Sequence, residues 1–455
     1  MHHKLNTRPA EIVHEGVRAV TAEQDQPTTG ASEGSLLALA LLAVLVGAIA
    51  GLLGALFRLA LDRANDWRNQ LLHAVADWEL LGLGLVVVLT AAAAALAAAL
   101  VRWYAPQAKG SGIPHVEAVL AGRVPAAPLM LLPVKVVGGV LAIGVGLALG
   151  REGPSVQLGA NTSHLLGGLF RRNAADCRTL LAAGAGAGLA TAFSVPIAGA
   201  VFVLEELVRR FDTRITIATL AASASAIAVA QWFLGARPDL DVPEIALPHL
   251  VITPLFALLG VVMGLLGVVY NRAMIATEEF AEQRLPLPVE ARAALVGAGV
   301  GLAAWWLPQL IGGGETLTLH LLKDGDTVAA LIFGFLFRFV LGAVSYAAGT
   351  PGGLFAPLLA LGAQGGLLYG LLCQRLLGGL APSPTAFAIV GMAALFTAAV
   401  RAPVTGIVLL AEMTGSFNLL LPMLAGCWTA MTVPTLCGCP PIYDLLRVGS
   451  PKARD

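Results

Sequence analysis

The chain has 455 residues, of which 57% are hydrophobic and only 12% charged, against roughly 25% charged in a soluble domain. Its 28 basic and 28 acidic residues cancel, so no global field points to nucleic acid or to an acidic partner. A mean hydropathy of +0.80 excludes water as the solvent of most of the chain.

In chain order, residues 1–34 are polar and read as a cytosolic tail. The apolar stretch that follows from Leu36 is too long for the apolar core of a signal peptide, roughly 7 to 15 residues. Leu36 to Phe57, Leu80 to Val101, Leu129 to Leu149 and Leu250 to Tyr270 each approach or exceed the roughly 20 apolar residues that span a bilayer, and ten or more helical segments fit the chain. Lys4, Arg8 and Arg18 precede the first span, and Arg447, Lys452 and Arg454 follow the last. By the positive-inside rule both termini are expected in the cytoplasm, which suits an inner-membrane protein. The expected organisation is a tail (1–34), a membrane domain (35–448) and a short end (449–455), with no soluble regulatory domain after it. Cys177, Cys373, Cys427, Cys437 and Cys439 lie in apolar surroundings, and Cys437-Gly-Cys439 lacks the spacing of a zinc site. Neither metal nor cofactor is expected.

The two halves of the membrane domain repeat. Pro196, Gly199 and Glu205 align with Pro403, Gly406 and Glu412, each pair 207 residues apart. Ahead of them, Gly150-Arg151-Glu152-Gly153-Pro154 aligns with Gly353-Leu354-Phe355-Ala356-Pro357. Matched pairs in the same order predict duplicated halves, about 35–235 and 250–448.

Glycines followed by proline open an apolar run at Gly110-Ser111-Gly112-Ile113-Pro114, at Gly150 to Pro154 and at Gly353 to Pro357, the composition of a helix start. A helix that starts inside hydrophobic sequence leaves free N–H groups and the positive end of its dipole in the protein interior, where they attract anions. Irregular backbone at that depth survives only where protein buries it or a cavity adjoins it. For one such start alone, a glycine hinge is an equal explanation; three in one chain favour an anion site.

At these residues, together with Tyr443 near the end, the sequence resembles the CLC family of chloride channels and proton-coupled chloride transporters, from about Leu36 to Val448. The resemblance implies an all-α integral membrane protein, an inverted-repeat bundle of tilted and interrupted helices. It implies a homodimer in membrane lipid, with one ion path per subunit, no enzymatic activity, and chloride and protons as the transported ions. Ser111 and Tyr443 would donate hydroxyl hydrogens to a central anion, and Leu354 and Phe355 would add backbone N–H groups. Neutral donors replace hydration yet release the ion.

Glu152 is then the gating glutamate: charged, it occupies an anion position; protonated, it swings aside. An intramembrane carboxylate is itself a functional hypothesis. Pairing with Arg151 is the competing explanation, although neighbours in sequence point to different faces of a helix. Glu206 would relay protons from the cytoplasmic side; its alternative is an interfacial carboxylate paired with Arg209 or Arg210. Serine at 111 points to chloride. His115 stands where familiar bacterial relatives carry an acid, and either tunes pH response or is structural. Lys135, Arg338, Arg401 and Glu412 are expected to pair, cap helices or adjoin a vestibule.

Three readings compete with proton/chloride exchange. One is a passive chloride channel of the same fold. Another is a sodium-coupled solute symporter, since those also use inverted repeats. An intramembrane enzyme with Ser111 as nucleophile lacks a patterned histidine partner.

Overall fold

The computed structural model describes residues 33–448 apart from 237, 243–244 and 246–247. The chain divides into two units, Met1–Leu39 and Ala40–Asp455, and the second carries the fold. The expected tails lie outside the described residues, except for Glu33 and Gly34, which open the first helix.

The first half comprises α1 (Glu33–Val75), α2 (Glu79–Tyr104), α3 (Ile113–Leu120), α4 (Leu131–Gly144), α5 (Glu152–Leu169), α6 (Ala174–Phe193), α7 (Pro196–Phe202) and α8 (Thr213–Leu234). The second comprises α9 (Thr253–Gln283), α10 (Val289–Trp306), α11 (Glu315–Lys323), α12 (Val328–Ala347), α13 (Phe355–Leu377), α14 (Pro384–Val400), α15 (Pro403–Thr414), α16 (Leu420–Leu436) and α17 (Ile442–Val448). Six segments are long and apolar enough to cross a membrane, and α4, α14 and α15 are shorter apolar helices. The protein is an all-helical, multi-pass membrane protein.

One expected span is not a single helix. The Leu129 to Leu149 run forms α4 over only 14 residues, because the chain leaves the helix at Gly144 and turns through Gly146 at φ 107°. Such a backbone favours glycine. The freed segment crosses to the other half, where Gly146 O accepts the Gly312 N–H at 2.8 Å and Ser345 Oγ accepts the Ala148 N–H at 3.0 Å.

The repeat is visible in the packing. The helix pairs α5/α6 and α13/α14 approach so closely that a side chain has no room. A Cβ on Gly159 would sit 2.1 Å from the Gly184 carbonyl oxygen, and one on Gly362 would sit 2.6 Å from the Met392 Cα. Lipid offers no hydrophobic drive for helix association, so this van der Waals contact does the holding. The helices α6 and α14 also end alike, in left-handed Ser194 (φ 58°) and Arg401 (φ 74°), each followed two residues later by the proline of the next helix.

Candidate functional site

Helix starts fall into two kinds. Asn173, Asp212, Thr327 and Ser383 cap α6, α8, α12 and α14 with their side chains. The starts of α3, α5 and α13, at the three glycine-proline motifs, have no side-chain cap. Their first-turn N–H groups are left without an N-cap side chain, and two of them meet side chains of the motifs themselves, Ile113 N–H donating to Ser111 Oγ and Phe355 N–H to Glu152 Oε1.

Backbone bonds hold these three starts together. Gly110 N–H donates to Thr350 O at 3.1 Å and Gly352 N–H to Gly110 O at 3.0 Å. Gly150 and Gly353 exchange bonds of 2.9 and 2.7 Å. The two isolated bridges, Gly110 with Pro351 and Gly150 with Gly353, join first-half loops to a second-half loop. Lys135 reinforces the first, its Nζ donating to Ala108 O at 2.9 Å and Gly110 O at 2.8 Å. Gly112, at φ 81°, caps α3, and Ile113 and Pro114 open it.

Glu152 lies at the centre of this junction, fully buried. Its Oε1 accepts the Phe355 N–H at 2.6 Å, so the carboxylate sits on the free start of α13. Its Oε2 is buried and has no hydrogen-bond partner among the described residues. The carboxyl group lies between two glycines: a Cβ on Gly150 would come within 2.1 Å of Oε2, and one on Gly353 within 2.3 Å of Oε1. Arg151 turns away, as expected of a sequence neighbour. Its Nε donates to Ala192 O at 3.0 Å and its guanidinium pairs with Asp239 at 3.2 Å.

Ser111 is fully buried beside the first turn of α5, where a Cβ on Gly153 would meet the Ser111 Cβ at 2.7 Å. Its Oγ accepts the Ile113 N–H at 3.2 Å, which leaves the hydroxyl proton to donate elsewhere. Tyr443 is also fully buried, its hydroxyl unpartnered and its ring 6.1 Å from that of Phe355. Phe355 in turn meets Phe396 at 4.7 Å and Phe202 at 5.6 Å, both edge to face. The result is a buried junction of aromatic rings and glycine backbone, with the Ser111 and Tyr443 hydroxyls buried beside it. Pro154 and Pro357 follow in the first turns of α5 and α13, where a missing N–H takes nothing from the ladder.

Glu206 lies elsewhere, on a π-helical turn (Val203–Leu207) that continues α7. Its side chain is 3% exposed and pairs with Arg209 at 3.3 Å. Arg209 also binds Asp444 at 3.1 Å, Asp444 binds Arg447 at 2.9 Å, and Arg447 pairs with Glu117. The helix α17 therefore carries both Tyr443, beside Phe355, and Asp444, in the Glu206 cluster.

The remaining charges hold backbone. Arg338 donates to the carbonyls of Leu310, Gly312 and Gly313, and Arg401 to those of Ala398 and Cys439. Half-buried His115 lies 3.4 Å from Gln157 Nε2. Sequence reasoning missed Asp239 and the Glu117–Asp444–Arg447 cluster. No motif marks them, and their partners are up to 330 residues away.

The sequence model of the voltage gated chloride channel family matches residues 92–435. The H(+)/Cl(-) exchange transporter ClcA of Yersinia pestis bv. Antiqua (strain Angola) is 35% identical over 419 residues, covering 89% of this chain and 86% of that protein. The ClcA of Vibrio parahaemolyticus serotype O3:K6 is 37% identical over 415 residues, covering 89% and 88%. Among solved structures, a slow cyanobacterial Cl-/H+ antiporter matches with a TM-score of 0.87 at 33% identity, covering 90% of this chain and 97% of that one. A eukaryotic CLC transporter matches at 0.79 and 26% identity, covering 91% and 74%. By sequence along most of its length and by fold, the chain belongs to the CLC family of voltage-gated chloride channels and transporters.

Proposed function

We propose that the protein exchanges chloride for protons across the membrane, with Glu152 as the gate. The observation that carries this reading is the Glu152 carboxylate on the Phe355 N–H, at a helix start with no other side-chain cap. In its charged form it satisfies the dipole that an anion would otherwise meet. Protonation removes the charge, and a neutral carboxyl gives up the N–H groups to chloride. Ser111 and Tyr443 then supply hydroxyl donors, and the Leu354 and Phe355 amides backbone ones, without a fixed counter-charge that would trap the ion.

Glu206 exchanges protons with the cytoplasmic side, and α17 joins the two regions, with Tyr443 beside Phe355 and Asp444 in the Glu206 cluster. Relatives named H(+)/Cl(-) exchange transporters support the coupling. The family also supports an inner-membrane homodimer with cytoplasmic termini, one pathway per subunit and halves at about 35–235 and 250–448.

The contact of Arg209 with Glu206 favours a second reading, in which Glu206 is a clamped interfacial carboxylate and the protein is a passive chloride channel. Liposomes holding the purified protein separate the two. Under an imposed chloride gradient, an exchanger moves protons uphill, and Glu206→Gln removes proton movement while chloride still passes. A channel passes chloride with no pH response in either form.

A further inference from the structure

We propose that Asp239, in the loop between α8 and α9, is a positioning residue for the gate. By holding Arg151 it keeps that cation from acting at full strength on Glu152 and on an arriving anion. The inference rests on Glu152 being the gate.

Asp239 gathers three elements onto one carboxylate. Its Oδ1 accepts from Arg58 of α1 at 2.8 Å and from the Ser194 hydroxyl, at the end of α6, at 3.1 Å. Its Oδ2 accepts from Arg151, at the start of α5, at 3.2 Å. The Asp239 side chain is only 7% exposed, and the Arg151 guanidinium is fixed from its other side by Ala192 O.

Other acids also surround Arg151. Asp62 approaches to 4.0 Å, but its side chain is 53% exposed and faces a cavity of about 730 Å³ that also involves Asp66, Arg68 and His73. Solvent screens a carboxylate in that position. Glu315 of α11 makes no direct ion pair with Arg151 but acts on it at least as strongly as Asp239 does, and Glu152 is its sequence neighbour. Besides Arg151 and Glu315, the titratable groups in range of Glu152 are Tyr270 of α9 and Tyr443 of α17. Among the described residues, Asp239 is thus the near-buried acid bonded directly to Arg151, and it offsets that cation together with Glu315. Two cations share it, so losing it would expose both Arg151 and Arg58.

The sign of the effect follows. Without the Asp239 charge, the field at Glu152 becomes more positive and favours the carboxylate, so more acid is needed to open the gate. The same field draws chloride to the mouth.

The test is chloride efflux from liposomes as a function of pH and chloride concentration. Asp239→Asn is expected to move the acid-activated limb to lower pH by about one unit and to lower the half-saturating chloride concentration. Asp239→Glu should restore both. Ser194→Ala loosens the same contact without changing charge and should leave the midpoint in place. Arg58→Gln, which frees Asp239 for Arg151, should move the limb to higher pH, and it remains informative if Asp239→Asn does not fold.

A midpoint unmoved in Asp239→Asn or Arg58→Gln, or moved equally by Ser194→Ala, overturns the inference while leaving the gate intact. If Glu152→Gln keeps the wild-type pH profile, the gate reading falls, and this inference with it.

Discussion

Glu205 and Glu412 each cap the helix that carries the other. Glu205, on the π turn that continues α7, accepts the Val404 and Thr405 N–H groups at 3.0 and 2.6 Å and the Thr405 hydroxyl at 2.7 Å. Glu412, near the end of α15, accepts the Ile197 and Ala198 N–H groups at 3.1 and 2.7 Å. Two antiparallel helices from opposite halves thus exchange carboxylates at their positive ends, where a negative charge is most favourable.

Replacing either carboxylate by alanine should destabilise the protein by about 1–2 kcal/mol, the range of a lost helix cap. The two losses should not add, because the capped helices pack on each other. Thermal unfolding in detergent of both single variants and the double variant measures this. Strict additivity would mean that the caps act independently.

Glu152→Gln cannot take up charge. With the wild type, chloride flux should rise as pH falls and the carboxylate releases the Phe355 N–H. The glutamine variant should show a flat profile across the acid range and no coupled proton movement. Stopped-flow chloride efflux at stepped pH, with proton uptake followed in parallel, is the measurement.

A methyl group at residue 150 should act through space alone. Gly150 has no left-handed φ, so alanine is tolerated by the backbone, but its Cβ would fall within 2.1 Å of Glu152 Oε2. Gly150→Ala should displace the carboxylate and raise chloride flux at neutral pH relative to wild type. Wild-type flux and pH dependence in this variant would show that the carboxylate does not rest between the two glycines during turnover.

Removing either buried hydroxyl should weaken chloride binding without abolishing it. Tyr443→Phe and Ser111→Ala each delete one donor worth about 0.5–1.5 kcal/mol, or roughly two- to tenfold in Kd. Calorimetric titration of chloride reads the change. A loss beyond a hundredfold would point to rearrangement of the surrounding helix starts instead.

The helix starts at Gly110, Gly150 and Gly353 were legible in the sequence, because glycine and proline write backbone geometry directly into residue type. It was the resemblance to the CLC family that implied a common ion path for Ser111, Glu152 and Phe355, and the structure brings the Glu152 carboxylate onto the Phe355 N–H. Repeat spacing also paired Glu205 with Glu412, but not their contact, since an offset of 207 residues identifies equivalent positions and says nothing of what each touches. The π turn at Val203–Leu207 was hidden because its composition is that of an ordinary helix end. Helical spacing did anticipate Arg209 beside Glu206, a contact within one turn. Asp239 was invisible for the opposite reason: it sits in a loop without periodicity, and its partners are Arg58, Arg151 and Ser194.

The four backbone bonds that join Gly110 and Gly150 to residues 350–353 contain no side chain. Substitution can therefore distort this seam but has little with which to retune it. Diversification of such a protein is pushed onto the few groups around the seam, the Glu152 carboxyl and the Ser111 hydroxyl on it and the Tyr443 hydroxyl from α17. A lineage can alter which ion it carries, or how tightly that ion is tied to acid, by changing one projecting group while the frame that presents it stays the same.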